Sequence, residues 1–411
     1  MRVLLINGCH YRRGGADVVY LNTIQLLREK GHEVIAFSVA HEKNLIDPYA
    51  PYFVSSPEFY NLSFIKKLQV APRAVYSTEA GRKLEDLIDK TRPEVAHIHL
   101  YKGVLTGAVL SVLRKNKIPV VATLHDFNLL CPRSIMLDGK NRICEKCISS
   151  TTVHCIINRC NRGNILYSAM SFLEFNFSRT FFRPENYVDS FISVSKFNFE
   201  MHRQHKSLAG KLVHLYNFSP SQSSTLPGTG YGGYFLYYGR LIPGKGLETL
   251  FNACKVSGDA VQLMVVGTGE LEESLKAKLV AEKIDNIRMV GFREGKELQK
   301  IISEAVCIVI PSELYENNPM VIVEGYANGK PVIGSRVGGI PEVVLEGKTG
   351  YTYEMGNFRE LAYTMNTMVR LSPIEYERLS GNALQFASTH FSEEIHYSKL
   401  ISIYKAVKKV R

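Results

Sequence analysis

Residues 306–324 read Val306-Cys307-Ile308-Val309-Ile310-Pro311-Ser312-Glu313-Leu314-Tyr315-Glu316-Asn317-Asn318-Pro319-Met320-Val321-Ile322-Val323-Glu324. The apolar run Val306–Ile310, stopped by a proline, predicts a short buried strand. Asn318 suits the N-cap of a helix and Pro319 its first position, so a helix is expected to start there. Its first amides, near Met320 to Ile322, have no partner inside the helix and can hold an anion. Glu316 lies in the loop and Glu324 about a turn and a half inside the helix. At different depths, the two carboxylates suit two separate sets of hydroxyls. Strand, loop and helix in this order are the repeating unit of a parallel sheet.

The same alternation extends in both directions. Downstream, Pro331–Gly334 reads as a strand, followed by Gly338-Gly339 and a helix opened by Pro341. Upstream, strands are expected at Tyr234–Tyr238, Gln262–Val266 and Ile287–Val290, with helices at Leu247–Lys255, Leu271–Lys283 and Lys296–Ser303. Residues 216–230 are rich in Ser, Pro and Gly and read as a linker. Before them, Arg2–Asn7, His32–Val39, Val95–His99, Val120–Leu124 and Val188–Val194 read as strands. Ala16–Lys30, Tyr76–Lys90 and Val104–Arg114 read as helices. The expected fold class is therefore α/β, with two doubly wound, Rossmann-like domains facing across a cleft: residues 1–215 and 216–391. A C-terminal helix over 392–411 is expected to pack back toward the first domain. In such sheets ligands bind beyond the C-terminal ends of the strands.

The 411 residues carry 50 Lys and Arg against 39 Asp and Glu. Residues 1–215 hold 29 basic and 18 acidic residues, whereas 216–411 balance at 21 and 21. The whole excess lies in the first half, which points to an anionic partner: nucleic acid, an acidic membrane or a phosphorylated lipid. No stacking-platform motif accompanies the charge, so nucleic acid is disfavoured. The apolar stretch near the start, Val3–Ile6, is too short for a signal peptide, and no run approaches the ~18 residues that cross a bilayer. A cytoplasmic chain, peripheral to the inner face of the plasma membrane, is expected.

After the strand Tyr234–Tyr238 the chain reads Gly239-Arg240-Leu241-Ile242-Pro243-Gly244-Lys245-Gly246 and opens a helix. Arg240 and Lys245 place two charges across a glycine loop, which suits a diphosphate. The spacing is neither a Walker A loop nor a dinucleotide fingerprint. In the first half, His125-Asp126 follows the strand Val120–Leu124, Gly14-Gly15 opens the first helix beside Arg12 and Arg13, and His99 and Lys102 follow another strand.

Together these residues resemble glycosyltransferase family 4, retaining enzymes of GT-B fold that serve bacterial polysaccharide and O-antigen-type assembly. The resemblance rests on Gly239-Arg240-x4-Lys245-Gly246, Glu316-x7-Glu324, Gly329-x-Pro331-Val332-Ile333 and Gly338-Gly339-x-Pro341-Glu342. Gly14-Gly15, Val95–His99 and Thr123–Asp126 extend it over the first half. It implies a nucleotide-sugar donor, UDP- or GDP-linked, and a saccharide acceptor, lipid-diphosphate-linked at an anionic inner-membrane surface. By resemblance, Arg240 and Lys245 neutralise the departing diphosphate, Glu316 holds sugar hydroxyls and Glu324 the ribose. Gly14, Gly15, Gly239, Asn317, Asn318, Pro319, Met320 and Val321 would line the donor, and His125 would approach the reacting carbon. Arg12, Arg13, His99 and Asp126 fall on the acceptor side. The chain has Asn317-Asn318-Pro319 where many members have Pro-Phe-Gly or similar. No Asp-x-Asp motif is present, so no catalytic metal or cofactor is expected. The alternatives are an epimerase or phosphorylase of the same fold, or a non-catalytic membrane-associated scaffold. Intact Arg240, Lys245, Glu316 and Glu324 weigh against the scaffold.

Five of the eight cysteines fall between Cys131 and Cys160. In a basic, cysteine-rich insert over 127–165, Cys144, Cys147, Cys155 and Cys160 could hold one structural zinc, with Cys131 or His154 as substitutes. Beyond it, Ile165–Phe182 contains six aromatics, Tyr167, Phe172, Phe175, Phe177, Phe181 and Phe182. This segment is either a helix packed inside the first domain or an interfacial helix on an anionic membrane.

Overall fold

The computed structural model describes residues 1–55, 76–220 and 233–410. Most of the linker expected at 216–230 lies outside the described residues. The chain divides into two compact units. The first comprises Met1–Ile135, Glu145–Tyr216 and Glu393–Arg411; the second comprises Met136–Cys144 and Asn217–Ser392.

The first unit is built on β1 (Arg2–Ile6), β2 (Glu33–Phe37), β3 (Val95–Ile98), β4 (Val120–Leu124), β5 (Ser190–Ser193) and β6 (Leu212–His214). They form one parallel sheet in the order β2-β1-β3-β4-β5-β6. The chain winds outward from β1 to β2, then crosses to β3 on the other side of β1. The crevice beyond β1 and β3 is thus the switch point where such sheets hold ligands. Helices α1 (Gly15–Glu29), α2 (Thr78–Thr91), α3 (Ala108–Lys115), α4 (Ile165–Phe177) and α5 (Lys196–Arg203) belong to this unit. Every central strand is buried on both faces, which explains the unbroken Val, Leu and Ile runs.

The second unit repeats the plan with β7 (Phe235–Tyr238), β8 (Leu263–Val266), β9 (Ile287–Gly291), β10 (Cys307–Ile310), β11 (Val332–Ser335) and β12 (Gly350–Tyr353). The sheet order is β12-β11-β10-β7-β8-β9, again all parallel. Its switch point lies between β7 and β10, the strands that precede the two loops singled out above. Helices α6 (Leu247–Ser257), α7 (Glu272–Ala281), α8 (Gly295–Glu304), α9 (Met320–Ala327), α10 (Phe358–Val369) and α11 (Pro373–His390) belong to it.

The last helix, α12 (Glu393–Val410), returns to the first unit. Its Leu400, Ile401, Tyr404 and Val407 pack with Val3, Leu5, Tyr20, Leu21 and Ile24 in one apolar cluster. Tyr404 donates to or accepts from His97 Nδ1 at 2.7 Å, tying the helix to β3.

Candidate active site

In the second unit the loops after β7 and β10 come together. Lys245 Nζ lies 2.5 Å from Glu316 Oε1. The pair is largely buried, with side chains 21% and 13% exposed. Ser312 Oγ donates to the same carboxylate oxygen at 2.7 Å. Burial alone would raise the Glu316 pKa. Lys245 and Ser312, with Arg240 nearby, outweigh it and hold the group below its ordinary value of 4.5. The carboxylate is therefore ionised and aimed.

Two glycines make the loops' approach possible. Gly246, at φ +66°, passes so close to β10 that a Cβ would lie 1.7 Å from the Pro311 carbonyl oxygen. Gly338, at φ +59°, would place one 2.4 Å from the carbonyl oxygen of Glu316, which also accepts the Gly339 amide at 2.6 Å. Only glycine tolerates both the left-handed backbone and the contact. Gly239 follows β7 and Arg240 is exposed, its carbonyl held by the Tyr237 hydroxyl at 2.8 Å.

Glu324 sits half-buried in α9, where the Tyr238 hydroxyl donates to its Oε2 at 3.1 Å and lies 3.0 Å from the Val321 carbonyl. Burial first, and then Glu324, push the Tyr238 hydroxyl pKa well above its ordinary value, so it stays a donor. Tyr238 was not legible as a site residue, because it reads as a buried strand position.

The start of α9 differs from expectation by one residue. Pro319 is the N-cap and the helix begins at Met320. The Ile322 amide already bonds the Pro319 carbonyl at 3.0 Å, which leaves the amides of Met320 and Val321, rather than a run to Ile322, for an anion. Asn318 does not cap. Its Oδ1 accepts the Asn217 amide and its carbonyl accepts Asn217 Nδ2, at 2.9 and 3.0 Å. It pins the entry of the chain into this unit, and Asn317 beside it is buried.

In the first unit Gly14 is the N-cap of α1, with Gly15 its first residue. Arg12 and Arg13 are exposed in the loop after β1, and Arg13 Nε lies 3.7 Å from the buried carboxylate of Asp17. Asp17 accepts from Asn7 at the end of β1. His125, after β4, bonds His99 Nδ1 through its Nε2 at 2.9 Å, with the rings stacked 5.1 Å apart. His99 in turn lies 4.5 Å, centroid to centroid, from His97, which bonds Tyr404 and Thr123. Burial pushes His97 and His125 down to about 3, and His99 well below its usual range, so all three are neutral at physiological pH. Asp126 accepts the Asn128 amide at 2.9 Å and thereby shapes the turn after His125. Burial raises its pKa, against the pull of Asn128 and Lys102.

Cys144 lies on the hairpin Met136–Cys144, which belongs to the second unit, whereas Cys147, Cys155 and Cys160 belong to the first. None of the eight cysteines is in a disulfide. The Cys155 thiol is raised above its ordinary range, chiefly by a hydrogen bond with Cys160, with burial, Cys131 and Cys147 adding to it. Among the described residues no three His, Cys, Asp or Glu side chains are placed to hold a metal ion.

The geometry defines a parallel α/β chain with charged loops at the switch point of its second sheet. The model of Glycosyltransferase Family 4 matches residues 13–218, and that of Glycosyl transferases group 1 matches residues 230–386. The chain belongs to glycosyltransferase family 4. It is 30% identical over 206 residues to an uncharacterised glycosyltransferase of Methanocaldococcus jannaschii, covering 50% of this chain and 56% of that one. It is 28% identical over 175 residues to the amylovoran biosynthesis glycosyltransferase AmsK of Erwinia amylovora, covering 40% and 42%. The chain thus spans about half the length of the curated relatives it matches. Among solved structures, HepE of Anabaena in complex with UDP superposes with a TM-score of 0.69 at 17% identity, covering 99% of this chain and 100% of that one. At that identity the likeness shows the GT-B fold alone.

Proposed function

We propose that the chain transfers a sugar from a UDP-sugar to a saccharide acceptor, with retention at the anomeric carbon, in the assembly of a cell-surface polysaccharide. The observation that carries this is the Lys245–Glu316 pair, with Arg240 beside it, at the switch point of the second sheet. The AmsK relative and the UDP held by HepE support the setting and the donor.

In this reading Arg240, Lys245 and the amides of Met320 and Val321 stabilise the negative charge that grows on the departing diphosphate. Such preorganised electrostatics is usually the largest catalytic contribution. Glu316 accepts from sugar hydroxyls and Glu324, oriented by Tyr238, from the ribose. His125 is neutral, so it donates or accepts a hydrogen bond at the sugar without adding charge. The leaving diphosphate takes the acceptor's proton, and no separate carboxylate base is required. Gly14-Gly15 and the exposed Arg12 and Arg13 suit an acceptor with a lipid-linked diphosphate, at the inner face of the plasma membrane.

A thermal-shift panel of UDP- and GDP-sugars tests the donor. Stabilisation by a UDP-sugar is expected in the wild type, and at least about a tenfold weaker response in Lys245→Met/Glu316→Gln, which removes both charges together. Equal stabilisation of the two proteins would refute the assignment of the diphosphate site.

A further inference from the structure

Helix α4 is amphipathic in the wrong sense for a helix in water. Its polar side chains face the protein. Ser168 is fully buried, and its Oγ accepts the Asn161 amide at 2.9 Å. Ser171 accepts from Asn161 Nδ2 at 2.9 Å, and Asn176 accepts from Thr152 at 3.1 Å. Phe175 is buried with them, whereas a stripe of other apolar side chains points outward. Leu166, Met170 and Leu173, at i, i+4 and i+7, are 65%, 48% and 62% exposed. Phe181 on the π-helical turn that follows is 64% exposed, and Ile157 just upstream 66%. Folding in water opposes this arrangement, so the exposed face calls for a partner.

The charges around the helix choose among partners. From Lys146 to Pro184 there are five basic residues, Lys146, Arg159, Arg162, Arg179 and Arg183, and one acidic residue, Glu174. Glu174 is half-buried and its pKa is raised by that burial. Arg162 and Arg179, at the two ends of the helix, lie over the rings of Tyr167 and Phe175, each at 5.9 Å. Phe175 is itself buried, so the rim is made by the exposed Tyr167 and the two arginines, which are suited to a headgroup layer. A second copy of the chain is a poor occupant, because a symmetric contact would set this basic rim against itself. At 13 residues the helix is too short to cross a bilayer, and no described helix is long and apolar enough to do so.

We infer that the outward face of Ile165–Phe177, with Phe181 and the flanking arginines, is a docking surface for an anionic lipid bilayer, lying in the plane of the headgroups. It deepens the membrane side of the proposed function and rests on that reading for the choice of lipid. Its test contains no sugar, so either reading can fail while the other stands.

The full chain contains no tryptophan, so Leu173→Trp supplies a single fluorescent reporter. Tyr363→Trp, at a 74% exposed position on α10, is the control. Vesicles of phosphatidylcholine alone, and of phosphatidylcholine with phosphatidylglycerol, are titrated in at low and high salt. The expected result is a blue shift for Leu173→Trp with the anionic vesicles only, weaker at high salt, and none for Tyr363→Trp. In sedimentation, Leu166→Ser/Leu173→Ser is expected to lose at least about tenfold in vesicle affinity. Its thermal midpoint should stay that of the wild type, because both positions are exposed. No blue shift, or unchanged sedimentation of the double variant, would overturn the proposal. So would a shift that follows protein concentration without vesicles, which would assign the face to self-association.

Discussion

Replacing Lys245 by methionine isolates what the ion pair does for Glu316. The wild-type carboxylate is 13% exposed and keeps its charge because Lys245 and Ser312 outweigh burial. Without the ammonium, Ser312 and the more distant Arg240 remain. Removing one partner of a buried pair costs about 3–5 kcal/mol. Because Lys245 is 21% exposed and Ser312 stays, the lower end, about 3 kcal/mol at neutral pH, is expected. The pH dependence then changes sign. In the wild type the Glu316 pKa is below 4.5, so its stabilisation is present above 4.5 and lost as pH falls through the lowered value. In Lys245→Met burial dominates and lifts the pKa above 4.5. The variant is then penalised above that lifted value and recovers as acid protonates the carboxylate. Chemical denaturation of wild type, Lys245→Met and Lys245→Met/Glu316→Gln across roughly pH 3 to 8 reads both effects. The double variant should regain most of the loss, since no uncompensated charge is left. A cost under about 1 kcal/mol with no recovery at low pH would show a solvated surface pair and refute the argument.

Gly246→Ala and Gly258→Ala separate steric contact from backbone strain. Both glycines have positive φ, but a Cβ at 246 meets the Pro311 carbonyl at 1.7 Å whereas at 258 it meets nothing within 4 Å. Denaturant midpoints should give about 1–2 kcal/mol for Gly258→Ala and on the order of 3 kcal/mol or more for Gly246→Ala; equal losses would contradict the close approach of the two loops. The buried imidazoles give a prediction in acid. His97 and His125 titrate near 3 in the folded protein against 6.5 ordinarily, so the unfolded chain takes up their protons first and their contribution to stability is lost as pH falls from 6.5 toward 3. Their imidazole resonances should stay flat between roughly pH 5 and 8 by NMR, and a midpoint near 6.5 would place them in solvent.

The positions of most strands in both sheets were legible, because strands buried on both faces are written as unbroken Val, Ile and Leu runs; Leu212–His214 and Gly350–Tyr353 were missed, and the order of the strands was not read. The charged members of the second unit's site, Arg240, Lys245 and Glu316, were legible for the same reason: each lies in a loop that directly follows such a run. Their supports were not. Ser312 holds Glu316 from four residues away, and nothing in a single serine signals that bond. Tyr238 reads as a core position, yet its hydroxyl reaches Glu324 86 residues later. The His97–Tyr404 contact spans 307 residues, and periodicity carries no information about such partners. The shift at α9 has a local cause. Asn318 has the chemistry of a cap, but its side chain is already engaged by Asn217. At α4 the spacing showed a helix but not which side faces water, because the alternatives differ only in tertiary packing.

The return of α12 to the first unit has a consequence for how the molecule is made. Leu400, Tyr404 and Val407 complete a cluster whose other members include Val3, Leu5 and Tyr20. The first sheet therefore leaves the ribosome with one flank of its core uncovered. It stays so while the whole second unit is synthesised, from Asn217 to Ser392. At about 5–20 residues per second that interval is on the order of ten seconds or more. During it the nascent chain bears an uncovered apolar groove, the kind of surface that exposes an incomplete fold to aggregation. The second unit, apart from Met136–Cys144, is one continuous stretch and meets no such delay. The earlier half of the gene thus encodes the part that matures last.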